Sequence, residues 1–156
     1  MFTLLRNLIT HGIALAVGFA LGIYLLPVLI APDAPTDAEV TASSQQALFS
    51  GEFSKDLPGS DFLHWGEGRF TISSKQISLM GSLAPGPDYK LYFAPELALN
   101  EEEFLRIKDK SVNVGPVTTF DNFILDIPAN INPAEYKAVV VWCETFSEFI
   151  TAATYQ

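Results

Sequence analysis

The sequence is poor in soft donors, in imidazoles and in positive charge. One cysteine and two histidines among 156 residues exclude a disulfide scaffold and any zinc site closed by four protein ligands. A blue-copper centre fails on the same ground, because it needs two histidines and a cysteine and only His64 and Cys143 lie beyond residue 47. Nine basic residues against eighteen acidic ones leave a formal charge of −9. That balance argues against a nucleic-acid partner, which requires basic patches to meet phosphates. No nucleophile elbow, P-loop, H-E-x-x-H, calcium loop or C-x-x-C-H occurs. Gly66-Glu67-Gly68 begins like a dinucleotide fingerprint, but Thr71 stands where the third glycine belongs and no strand-to-helix unit follows. Carboxylate pairs are so numerous in this acidic chain that none singles out a glycosidase dyad.

Apolar residues are plentiful, at 49% against 17% charged, with twelve Phe. Disorder is excluded, and the length suits one domain with a core of its own. Hydropathy is concentrated at the start. Gly12–Ala31 reads GIALAVGFALGIYLLPVLIA without a charge, about twenty residues, enough to cross the roughly 30 Å apolar zone of a bilayer as helix. A cleavable signal has a shorter apolar stretch and an A-x-A-like site, whereas Ala31 runs straight into Pro32. An uncleaved anchor is therefore expected, with Pro27 tolerated near its outer end. Gly18 and Gly22 form a G-x-x-x-G pair, which arises often by chance in glycine-rich spans and gives little reason to expect a dimer. Arg6 and the free amine precede the span, while Asp33, Asp37 and Glu39 follow it, so the N-terminus is predicted to face the cytoplasm. His11 is read as an interfacial residue. The expected organisation is a cytoplasmic N-terminus over 1–11, a single transmembrane helix over 12–31, a flexible linker over 32–47 and a periplasmic or otherwise extracytoplasmic domain over 48–156. The linker reading rests on small, polar, proline-spotted residues without an apolar period.

Beyond residue 47, eight Lys or Arg face fifteen Asp or Glu, so the domain itself is acidic. Runs of Phe, Tyr, Ile and Val recur at 48–53, 69–73, 76–83, 89–94, 112–118, 123–127, 137–143 and 148–155. That spacing predicts an all-β, antiparallel β-sandwich of about eight strands. Pro58-Gly59, Pro85-Gly86-Pro87-Asp88 and Asn130-Ile131-Asn132-Pro133 supply the turns. One short helix is predicted after Asn100, a cap residue with Glu103 at the reciprocal position and lysines towards the other end. Glu101, Glu102 and Glu103 are accordingly helix-start chemistry rather than a metal site. Val139-Val140-Val141-Trp142-Cys143 is a continuous apolar run, as expected of a central strand covered on both faces. Alternation places Val139, Val141 and Cys143 on one face and Ala138, Val140 and Trp142 on the other.

Two chemically distinctive side chains remain, Cys143 and His64. Cys143 reads first as a small buried hydrophobe, the commonest fate of a lone cysteine in an apolar strand and inert because burial raises its pKa, and second as a reactive centre. His64, beside Trp65 and ahead of a Gly-x-Gly turn, reads as a hydrogen-bonded loop residue or as a ligand.

The order of motifs extends this reading. GEF at Gly51–Phe53, HWGEG at His64–Gly68, GPDYKLYF at Gly86–Phe93 and YKAVVVWCETFSEFITAATY at Tyr136–Tyr155 together resemble a DM-thirteen domain, the electron-transfer module found with DOMON domains and in Skeletor-type proteins. The resemblance implies a β-sandwich and a redox role, with Cys143 as a bare thiol or as ligand to a prosthetic group such as haem, and with His64 as a second ligand. Gly51, Phe53, Gly68, Gly86, Pro87 and Asp88 match as framework residues. The chain departs from the pattern at Thr151-Ala152-Ala153, where a glycine-containing ending is expected. Three functions stay open: a membrane-tethered redox carrier with an unknown partner, a non-catalytic β-sandwich binding or adhesion module with a structural cysteine, and a thiol enzyme using Cys143 as nucleophile and His64 as base. A carrier or binding domain is expected ahead of a turnover enzyme.

Overall fold

The computed structural model describes residues 2–156; the N-terminal amine invoked for orientation lies outside them. Helix α1, Phe2–Ile30, takes in the predicted span except its last residue, Ala31, and ten residues before it, with Pro27 inside and no residue buried. It is long and apolar enough to cross a membrane, a length and composition that a signal sequence near the N-terminus also meets.

Eight strands follow: β1 Phe49–Phe53, β2 Gly66–Ile72, β3 Gln76–Leu83, β4 Tyr89–Ala94, β5 Val112–Val117, β6 Phe123–Asp126, β7 Ala138–Cys143 and β8 Glu148–Thr154. They form two antiparallel four-stranded sheets, ordered β1-β2-β3-β6 and β5-β4-β7-β8. The expected β-sandwich of eight strands is therefore present. Strand β2 starts before the predicted run, because Gly66-Glu67-Gly68 is strand rather than turn and Gly68 sits opposite Gly81. Gly68 holds φ at 117°, a backbone conformation that favours glycine.

The interior between the sheets is filled by Phe53, Phe70, Leu79, Leu91, Val139, Val141 and Ile150 among others, with Cys143 at its edge. A second core lies on the outer face of β4 and β7, under the short helix α3, Glu101–Ile107, which contributes Phe104 and Ile107. Strand β7 is thus covered on both sides and every one of its residues is buried. Its alternation divides Val139, Val141 and Cys143 from Ala138, Val140 and Trp142 as the pattern requires. The Asn100 side chain caps α3 by accepting from the Glu103 amide at 3.0 Å, while Glu103 reaches back to the Leu99 amide at 2.7 Å.

The segment 32–47 departs from the extended tether expected of it. Residues Asp37–Ser44 form a helix, α2, with a full capping box between Thr36 and Glu39. The helix rests on the sandwich: Val40 is buried, Asn122 Nδ2 donates to the Asp37 carboxylate at 2.7 Å, and Ser43 Oγ donates to Gln76 Oε1 at 3.1 Å. One apolar residue per two turns leaves no period to read, yet capping and three tertiary contacts suffice to dock so short a helix.

Candidate functional site

Cys143 closes β7, paired with Tyr89 of β4 on one side and Glu148 of β8 on the other. It is only 2% exposed. Its thiol donates to the carbonyl of Pro87 at 3.1 Å, across 56 residues of sequence. Two turns produce this contact. In the first, Pro85-Gly86-Pro87-Asp88, the Tyr89 phenol packs so closely over Gly86 that a Cβ there would collide with it. Asp88 takes a left-handed φ of 53°, which aspartate tolerates better than most residues. The second turn, between β7 and β8, is tied to the first. The Glu144 amide donates to Asp88 O at 3.1 Å, Thr145 Oγ1 donates to the Asp88 carboxylate at 3.3 Å, and Lys90 pairs with it at 2.8 Å.

Burial pushes the Cys143 thiol above its ordinary pKa, and the nearby Asp88 and Glu148 carboxylates push the same way, while the Phe146 and Thr145 amides pull against them. The first two influences prevail, so the sulfur is held as S–H at neutral pH. Tyr89, 2% exposed beside it, is likewise kept protonated, chiefly by burial.

His64 lies at the end of the loop between β1 and β2. Asp61 organises that loop: its carboxylate accepts from the Leu63 amide at 2.7 Å and the His64 amide at 2.8 Å, and meets His64 Nδ1 at 3.1 Å. Burial alone would raise the Asp61 carboxyl, but these hydrogen bonds and the His64 ring hold it below its usual value. With Nδ1 engaged by the carboxylate, Nε2 is the nitrogen left for a ligand or a proton.

Cys143 and His64 are brought to one place. Both line a cavity of about 580 Å³, together with Leu63, Pro85, Phe146 and Ile150 of the domain and Ala20, Leu21, Ile23 and Tyr24 of α1. They do not hydrogen-bond each other, since the thiol is directed to Pro87 O and the ring to Asp61. The contact between nucleophile and base that a thiol enzyme needs is not made.

A haem held by the Cys143 thiolate does not suit this donor set. The sulfur donates to the Pro87 carbonyl at 3.1 Å, and the residues lining the cavity include no Lys or Arg to pair with the haem's own acidic groups. Among the described residues, no three His, Cys, Asp or Glu side chains gather as a metal site.

Behind Cys143, on the outer face of β7, lies a polar cluster that sequence reasoning missed. The Tyr92 hydroxyl donates to one Glu144 oxygen, Lys108 donates to the other at 2.7 Å, and Asn113 donates to the Tyr92 oxygen at 3.3 Å. Lys108 also stands 5.1 Å from the Trp142 ring centre. The only linear trace of this arrangement is Glu144 following Cys143; the Lys108 partner was legible merely as a cation at a helix end.

No curated protein and no solved structure matches the chain. A family model described as "Electron transfer DM13" does, over residues 52–155, from the middle of β1 to the residue after β8. That match takes in Cys143, His64, both clamped turns and the whole sandwich except its first strand's opening residues, and the chain belongs to the DM13 electron-transfer family.

Proposed function

We propose that this chain is a membrane-anchored extracytoplasmic electron-transfer domain whose redox centre is the Cys143 thiol. The observation that carries the reading is the placement of Cys143: a protonated sulfur at the end of the central strand, opening onto an apolar cavity that it shares with His64. Family membership supplies the electron-transfer role, α1 the anchor, and the charge difference across α1 the orientation, with Arg6 inside and Asp33, Asp37 and Glu39 outside.

The surroundings of Cys143 support one type of redox step. A bare thiolate is disfavoured, so losing an electron from sulfur requires the S–H proton to leave with it. The sulfur is left as a neutral thiyl radical, the proton passes to solvent by way of a base at the cavity, for which His64 Nε2 is the available imidazole, and the electron passes to a one-electron acceptor at the extracytoplasmic face. One proton per electron means that the midpoint potential falls by about 59 mV for each pH unit while the thiol stays protonated.

Potentiometric titration of the full chain in detergent, repeated at several pH values, tests this. A one-electron signal with that slope, lost in a folded Cys143→Ser variant, is the expected result. A signal that survives Cys143→Ser overturns the assignment of the centre. A chain without any signal, whose association with a partner is undiminished by the substitution, is instead a binding or adhesion module with a structural cysteine.

A further inference from the structure

We propose that the Cys143–His64 cavity binds the head ring of a neutral, membrane-dissolved quinone, an inference that rests on the membrane-anchored electron-transfer reading above. Four observations converge on this ligand class. The first is the wall: one side of the cavity is Ala20, Leu21, Ile23 and Tyr24, from the outer half of an apolar helix long enough to span a bilayer. That wall is apolar but for the Tyr24 hydroxyl, which suits a lipid-soluble ligand.

The second is the rim. Phe62 is 85% exposed, Phe146 48% and Leu63 38%, and Leu63 and Phe146 border the cavity on the domain side. Exposed apolar side chains gathered beside a spanning helix suit the membrane interface, where aromatic and aliphatic groups leave water. The third is charge. Glu148 and His64 are the ionisable residues lining the cavity apart from Cys143 and the tyrosines, no Lys or Arg joins them, and the domain around them is acidic. Phosphorylated or carboxylated ligands are repelled, and an uncharged one is admitted.

The fourth is the pair of polar groups in otherwise apolar walls. The volume of about 580 Å³ falls within the range of roughly 300–1,000 Å³ typical of small-molecule sites, which likewise combine apolar walls with a few placed polar groups. His64, oriented through Nδ1 by Asp61, presents a nitrogen that accepts from a quinol hydroxyl when neutral and donates to a quinone carbonyl when protonated. Both redox forms of the ring can be held at that atom. An alkyl chain alone has no use for it.

The test is titration of decylubiquinone into the full chain held in phosphatidylcholine nanodiscs, following quenching of tryptophan fluorescence; Trp65 adjoins His64. Saturable quenching is expected, weakened roughly tenfold by His64→Leu, as the loss of one hydrogen bond implies. Ala20→Phe, a change at an exposed helix position that intrudes on the cavity from the α1 side and leaves every residue of the sandwich unaltered, is expected to weaken it at least as much. Quenching that rises linearly, with the same slope in both variants, is partition into lipid and overturns the proposal. Equal competition by decanol, which carries the chain without the ring, overturns it in favour of an acyl-chain site. Cys143→Ser separates the two readings. Quinone binding that persists where no Cys143-dependent redox signal exists refutes the proposed function, and a Cys143-dependent signal without quinone binding refutes only this inference.

Discussion

Replacing Cys143 by serine and by alanine separates what the sulfur does for the fold from what it does for electron transfer. The thiol is 2% exposed and donates to Pro87 O at 3.1 Å. Serine keeps a donor at that position and loses the larger, softer sulfur, a change of about 1 kcal/mol for a partly emptied site. Alanine loses the donor as well and leaves a buried carbonyl unpaired, which costs about 1–3 kcal/mol more. Because the carbonyl borders the cavity, the lower end of that range applies. Each kcal/mol lowers the melting temperature of a domain near 100 residues by about 4 °C or somewhat more. Serine is therefore expected to melt about 4–6 °C below the parent chain and alanine a similar interval below serine. Urea unfolding of the full chain in detergent provides the second measurement, with the midpoints falling in the same order and the slope m unchanged. Both variants are expected to be folded and to lack the redox signal. An alanine variant as stable as the serine one refutes the reasoning, because a donor to the Pro87 carbonyl would then contribute nothing to stability.

Two further outcomes follow from the electrostatics. Iodoacetamide labelling of Cys143 in the folded chain is expected to be much slower than in the urea-unfolded chain and to have its pH midpoint above the ordinary thiol value, with Asp88→Asn and Glu148→Gln each moving that midpoint down. Equal rates in the two states would show that the sulfur is neither buried nor surrounded by repelling carboxylates. Tyr92, pushed up to about 12 by burial first and by its bond to Glu144 second, is expected to ionise late in an ultraviolet titration, and earlier in Glu144→Gln. Its contribution to stability is present below the ordinary phenol value of 10.0 and is lost as pH rises from there towards 12, since the unfolded phenol ionises first. Glu144 has the opposite sign. Burial would raise it, but the Lys108 and Tyr92 hydrogen bonds lower it, so its contribution is present above the ordinary carboxylate value and is lost in acid as pH falls through the depressed one; acid melts of Glu144→Gln against the parent chain read that loss.

The strands were legible because their signal is local. Gln76–Leu83 and Tyr89–Ala94 begin and end where alternation and the flanking turns place them, and the continuous apolar run at 139–143 identified a strand covered on both faces. Cys143 and His64 could be named, since each is the sole residue of its type in the domain. What joins them could not. The Pro87 carbonyl, the Asp61 carboxylate and the α1 wall reach the site through turns and crossings that no period encodes. Glu144, Lys108 and Tyr92 meet because α3 folds back over β4 and β7, a tertiary event without a linear trace. Helix α2 was hidden for a different reason: T-D-A-E at Thr36–Glu39 is a capping box in plain view, but with a single buried valine behind it there was no apolar stripe to give it weight.

The protonation state of Cys143 ties the two candidate residues together although they do not touch. A thiolate stabilised by a neighbouring cation could pass an electron to a metal-centred partner and leave no proton behind. Here the nearest charges, Asp88 and Glu148, are negative, so under the proposed function each electron leaving the sulfur strands a proton inside an apolar cavity, where an uncompensated charge is costly. A proton acceptor is therefore needed in the same cavity, and His64, whose ring is oriented by Asp61 and whose imidazolium that carboxylate would pair with, is the imidazole placed there. The same requirement bears on the partner. A carrier of electrons alone would leave His64 charged until the proton reached solvent, whereas a quinone that takes one electron from the sulfur and one proton from His64 becomes a neutral semiquinone, leaves a neutral thiyl radical and returns the cavity to neutrality. His64→Leu should consequently slow electron transfer and flatten the pH dependence of its rate while leaving the midpoint slope in place, and a rate profile unchanged by that substitution would mean that the proton leaves by another route.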